Sequence, residues 1–195
     1  CNRMKQLMVL MFLFLASLVN AQDKTNLKDI EKLTFFGVDF SMAKVYGADE
    51  TTEQFKDAFY GINTLFQREP KKYDLDKAFD AKVTLDLTTV QDLIEQIKKA
   101  GFVAPDAGYE LTDEEITEHI RHFNAGSAQG YGAVFIAGLL NKGKGQATYN
   151  VVVFDIATKD IVLNKQFTER ARGFGLRNFW AYSVYKTLNK VKKIK

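Results

Sequence analysis

The sequence predicts an α/β (α+β) sandwich: a mixed sheet of about five strands, ending in an antiparallel three-strand meander, with about four helices packed on it. Three observations carry that expectation. First, Val151-Val152-Val153-Phe154 is a run of strand-favouring residues with no polar face to show to water, which reads as a central strand covered on both faces. Second, Val134 to Leu140 and Ile161 to Phe167 flank it across the short breaks Gly143-Lys144-Gly145 and Ala157-Thr158-Lys159-Asp160, so the three runs form a meander. Third, Thr51-x-x-Gln54, Thr88-x-x-Gln91 and Thr112-x-x-Glu115 are capping-box patterns, each opening a helical stripe in the half of the chain that precedes the meander. Helices alternating with strands there supply crossovers, and a mixed sheet follows.

At the start of the chain Lys5 precedes the apolar run Leu7 to Leu15, and Leu18-Val19-Asn20-Ala21 precedes the polar Gln22-Asp23-Lys24. A charged start, a short apolar core and small residues at the end make residues 1–21 a signal peptide; a membrane anchor would need about 20 apolar residues. Cys1 lies ahead of Met4, so translation is expected to begin at Met4, with residues 1–3 an upstream extension. The remainder, 22–195, is expected to be one globular domain without cysteine, in a compartment that would permit disulfides. The 27 basic residues fall to 25 once Arg3 and Lys5 are removed, against 24 acidic ones, and so near-neutral a balance argues against a nucleic-acid partner. With 46% hydrophobic and 13% aromatic residues the chain can fill a sizeable core.

Leu33 to Phe40 reads as the first strand, alternating around Phe36, Val38 and Phe40, with Gly37 and Asp39 on a crowded or partly open face. The helix opened by Thr51 carries the stripe Phe55, Ala58, Phe59, Ile62, Leu65 and Phe66, and Pro70 ends it. Lys71 to Lys77 reads as a charged linker. Val83, Leu85 and Leu87 alternate with polar residues as a strand with one buried face; Thr88 caps the next helix, whose stripe is Val90, Leu93, Ile94 and Ile97 and whose stop is Gly101. A third helix from Thr112 turns Ile116, Ile120 and Phe123 inward and carries both histidines. His119, His122 and Glu115 share a shoulder of that helix, but three or four ligands are needed for zinc and no further Cys or His follows residue 21; a half-buried His119 and a solvated His122 is the simpler expectation, with no metal and no cofactor. Gly126, Gly130 and Gly132 lack the Lys-Ser/Thr and the helix of a phosphate loop and read as a flexible lead-in to the meander. In the meander's third strand, Asn164, Gln166, Thr168 and Arg170 form a polar face, which places it near an edge. The closing helix starts near Leu176 with Leu176, Phe179, Trp180, Val184, Leu188 and Val191 inward and Tyr182 and Tyr185 off the stripe; its terminal lysines suit the helix dipole.

The segments Phe35 to Phe40, Val151 to Asp160 and Gly173 to Ala181 resemble an uncharacterised family of secreted bacterial proteins. The strand entering the Asp155-x-x-Thr158 turn is more loosely similar to the α/β domain shared by the TolB N-terminal domain, CsgG and LpoB. That resemblance implies an envelope accessory that binds other proteins; it departs from those lipoproteins in having Gln22 where they carry an acylated cysteine.

Two function classes follow. One is a non-catalytic periplasmic or secreted envelope accessory or interaction protein, whose partner is another envelope protein or an anionic envelope component. The other is a small-molecule or glycan binder or hydrolase drawing on scattered carboxylates such as Asp39, Asp86 and Asp155. The first is favoured, because no nucleophile, paired carboxylate or metal cluster stands at a diagnostic spacing; the question of catalysis stays open. Strand direction supplies a surface for the first reading. In a meander the end of the first strand and the end of the third meet at one sheet edge, so Lys142 and Lys144 of the turn should share a rim with Arg170, Arg172 and Arg177 at the start of the closing helix. Those five residues are the binding candidates.

Overall fold

In the computed structural model, which describes residues 27–194, the sheet is organised around the strand β4, Tyr131–Asn141. The expected signal peptide lies outside the described residues. One edge of β4 pairs antiparallel with β5 (Gln146–Asp155), and β5 pairs antiparallel with β6 (Ile161–Arg170), which is the expected meander. The other edge pairs parallel with β1 (Lys32–Asp39), which in turn pairs parallel with β3 (Lys82–Leu85). A three-residue strand that sequence periodicity cannot detect, β2 (Lys44–Tyr46), continues the track of β1 along β4 and completes a six-stranded mixed sheet.

Five helices cover the sheet: α1 (Thr52–Arg68), α2 (Leu75–Phe79), α3 (Thr88–Glu95), α4 (Asp113–His122) and α5 (Leu176–Val191). On one face, α1 and α5 enclose a core that includes Phe35, Phe59, Ile62, Phe135, Tyr149 and Trp180. On the other, α4 closes a smaller core with Phe36, Ile120, Phe123, Val134, Val152 and Phe154. The four residues Val151 to Phe154 are divided between these two cores, which is why that run tolerates no polar side chain. At the sheet's edge, β6 shows the expected half-exposed character.

The alternation expected for the first strand is overturned at its middle. Phe35 sits opposite Ala133, but Val38 sits opposite Phe135, so β1 carries one extra residue there. The bulge sends Phe36 to the α4 face while Phe35, Val38 and Phe40 face α1 and α5. It is held by Asn63 of α1, whose Oδ1 accepts from Val38 N at 2.7 Å and whose Nδ2 donates to Val38 O at 2.9 Å, in a fully buried site. Gly37 adopts φ +90°, and a Cβ there would lie 2.6 Å from both Asn63 Oδ1 and Leu87 Cδ2, so only glycine fits.

The capping boxes at Thr51 and Thr112 form as expected, and the stripe of α1 is buried throughout. Thr88 does not cap α3: the residue at the cap is Leu87, and it is Asp86 whose Oδ1 accepts from Thr88 N at 3.0 Å. That helix stops at Glu95, short of Gly101. The expected linker after Pro70 contains α2, capped by the side chain of Asp74, which accepts from Lys77 N. On α5, Trp180, Val184, Leu188 and Val191 are buried, while Tyr185, expected to stand off the stripe, is half-buried with its ring 5.8 Å from that of Tyr73. Between that helix and the sheet, Tyr149 of β5 and Ser183 share a buried hydrogen bond of 2.9 Å, and burial pushes the Tyr149 phenol well above its ordinary range.

Candidate functional site

Two places in this fold gather chemistry. The first is the rim. The turn leaving β4 is fixed by Asn141, whose Oδ1 accepts from Lys144 N at 3.0 Å, and by Gly145, which closes the turn with φ +59°. Gln146 lies opposite Arg170, and Ala171 N donates to Gly145 O at 2.8 Å, so the end of β6 runs directly beside that turn. Arg172 N then donates to Phe179 O at 3.1 Å, folding the segment Gly173-Phe174-Gly175 back onto the first turn of α5. Both glycines carry a positive φ, and a Cβ at Gly173 would meet Asn178 O at 2.9 Å.

Not all five basic candidates stand equally available on this rim. Lys142 forms an ion pair with Glu50 from the loop before α1, and that hydrogen bond holds the Glu50 carboxyl below its ordinary value. The guanidinium of Arg172 lies over the Tyr182 ring, 4.2 Å from its centroid. Arg177 leans on α1, where a Cβ at Gly61 would be only 2.8 Å from its Cδ, and it donates to Asn178 Oδ1. Lys144 and Arg170 are exposed and have no ion-pair partner among the described residues. Beside Lys144 a shallow cleft of about 160 Å³ is lined by Tyr109, Glu110, Asn141, Thr148 and Thr168.

The second place is one sequence reasoning did not assemble. Asp39, at the end of β1, is fully buried, and His119 of α4 donates through Nε2 to its Oδ2 at 2.6 Å. The other carboxylate oxygen accepts from Ser41 N at 2.8 Å. The imidazole is 19% exposed. The pair ties the strand β1 to the helix α4 across 80 positions of sequence. The other two candidate carboxylates are used locally: Asp86 Oδ1 accepts from Thr88 N at the start of α3, and Asp155 Oδ1 accepts from Ala157 N and Thr158 N in the turn to β6. Glu115 closes its own capping box, and His122 is exposed beside Glu118, so the shoulder of α4 is divided among three separate partners.

No family model matches this chain, and no curated protein matches it. Among solved structures, the C-terminal domain of LpoB from Salmonella enterica matches at 15% identity, over 72% of this chain and 82% of that one, with a TM-score of 0.32. At so low a score nothing about this chain follows from the match. Among the described residues no helix is long and apolar enough to cross a membrane.

Proposed function

We propose that this chain is an exported, non-catalytic interaction domain of the cell envelope that docks an anionic surface through the rim formed by Lys142, Lys144, Arg170, Arg172 and Arg177. The observation that carries the reading is the junction of the two basic segments: Gln146 opposite Arg170, and Ala171 N on Gly145 O, set the turn at Lys144 alongside the strand end at Arg170. Clustered cations at one end of a rigid sheet attract an anionic partner and fix its orientation, an effect that salt weakens over a Debye length of about 10 Å at 0.1 M.

The test replaces the exposed cations together, Lys144→Gln, Arg170→Gln and Arg177→Gln, leaving Lys142 and Arg172 on their internal partners. Retention on an immobilised polyanion and recovery of envelope partners are compared at low and moderate salt. The variant should fold as the parent does and lose salt-sensitive retention; unchanged, salt-insensitive recovery would return the rim to ordinary surface. Export predicts in addition a mature N-terminus at Gln22 by mass spectrometry, and a retained apolar segment or an acyl mass would overturn it.

A further inference from the structure

We infer that the anionic surface is a lipid bilayer, and that Phe174 is the side chain that enters it. This rests on the rim being the docking surface. Among the described residues four large apolar side chains are exposed: Phe174 at 96%, Val103 at 68%, Tyr60 at 47% and Tyr46 at 38%. Phe174, Tyr46 and Val103 adjoin the rim or the strands that end there, while Tyr60 stands on α1. Phe174 lies between Gly173 and Gly175 in the loop that closes it. Tyr46 sits opposite Asn141, and its carbonyl accepts from Lys142 N at 2.9 Å; Val103 bridges Val45 in the same strand; Tyr60 precedes Gly61, on which Arg177 leans.

Phe174 is held out by construction. The two glycines flanking it occupy backbone conformations that other residues rarely adopt, and Arg172 N to Phe179 O pins the base of the loop, so the ring projects from a braced turn. An exposed phenylalanine on a single convex tip fits a bilayer better than a protein: a protein partner must supply a matching pocket, whereas the headgroup boundary admits an isolated ring anywhere along its plane. The charge agrees. Lys144, Arg170 and Arg177 are exposed around the loop, and a basic side chain close to an anionic leaflet adds to the apolar term. The acidic groups at this end include Asp49, Glu110, Glu50 and Glu169, of which Glu50 is paired with Lys142 and Glu169 with Lys190.

The probe is a set of unilamellar vesicles, either pure phosphatidylcholine or phosphatidylcholine mixed with phosphatidylglycerol, in a flotation assay. The parent protein should float with the mixed vesicles at low salt and remain behind with pure phosphatidylcholine. Phe174→Ala should weaken partitioning by about tenfold or more, since a full ring is withdrawn from the apolar phase, with unfolding unchanged because that ring is already in water. In Phe174→Trp the added indole should shift its emission to the blue and be quenched by brominated lipid, over the constant signal of buried Trp180. If Phe174→Ala floats as well as the parent while the triple cation variant does not, insertion is refuted and electrostatic docking at the rim stands. If the parent ignores the mixed vesicles yet retains a salt-sensitive, rim-dependent protein partner, the lipid assignment is overturned and the rim survives; loss of neither activity in the cation variant overturns both.

Discussion

Removing the imidazole of His119 probes a buried polar contact that joins β1 to α4. Asp39 is fully buried, with one oxygen on His119 Nε2 at 2.6 Å and the other on Ser41 N at 2.8 Å. In His119→Ala the carboxylate keeps only the backbone donor. A hydrogen bond to a charged group is worth about 1.5–3 kcal/mol, and breaking a fully buried pair costs about 3–5 kcal/mol. His119 is 19% exposed, so water can reach the vacated side, which puts the expected loss in the upper part of the lower range, at about 2–3 kcal/mol. Urea unfolding with an unchanged slope measures it, and a cycle with Asp39→Ala isolates the pair, with a coupling of about 1.5 kcal/mol or more expected. A single-variant loss below about 0.5 kcal/mol, or no coupling in the cycle, would mean the carboxylate is solvated in the folded protein and would refute this account of how β1 is tied to α4.

Three further outcomes follow from the same structure. Trp180→Ala should cost about 3–5 kcal/mol in denaturant unfolding, as expected for emptying a buried aromatic site, while Trp180→Phe should cost much less, because the indole N–H has no hydrogen-bond partner among the described residues. Asn63→Leu leaves Val38 N–H without its acceptor in the core and should cost about 2–4 kcal/mol; a loss under about 1 kcal/mol would show that the bulge in β1 holds without the amide. Lys142→Gln should cost less than about 1 kcal/mol at neutral pH, since both partners are partly exposed. Because Lys142 holds the Glu50 carboxyl below its ordinary 4.5, the contribution is present above that value and lost as pH falls through the lower folded one; the parent–variant difference in thermal unfolding should therefore shrink on acidification and not grow.

What could be read from the sequence was what repeats along it. The meander was legible because Val134 to Leu140, Val151 to Phe154 and Ile161 to Phe167 each outlast one strand period and are separated by short polar breaks. The helices at Thr51 and Thr112 were legible because a capping box writes both partners three residues apart. The short elements were not: β2 has three residues and α2 five, too few to establish a period. The bulge at Gly37 was hidden for a related reason, since period-two reasoning assumes an unbroken strand, and the signal for it is the glycine itself. At the rim, strand direction sufficed to bring Lys144 and Arg170 together, but the attachment of Lys142 to Glu50 and of Asp39 to His119 joins residues 92 and 80 positions apart, which no local pattern encodes. Phe174 was visible only as the middle of a turn; its exposure is a property of the neighbours it lacks.

The place of β4 also dictates the order in which the chain can assemble. Its antiparallel partner is reached through a turn of a few residues, with Asn141 opposite Gln146, whereas its parallel partner must come from the far end of the domain, with Leu33 opposite Tyr131. Closure entropy grows with the logarithm of the loop, so the hairpins of β4, β5 and β6 can form early and β1 only after a long excursion has been closed. Until β1 and β2 arrive, one edge of the buried strand β4 lacks its partners, a transient template for the wrong chain. Pulsed hydrogen exchange during refolding should accordingly protect the amides of Val151 to Val153 before those of Leu33 to Phe35, and the reverse order would place the nucleus in the parallel half of the sheet.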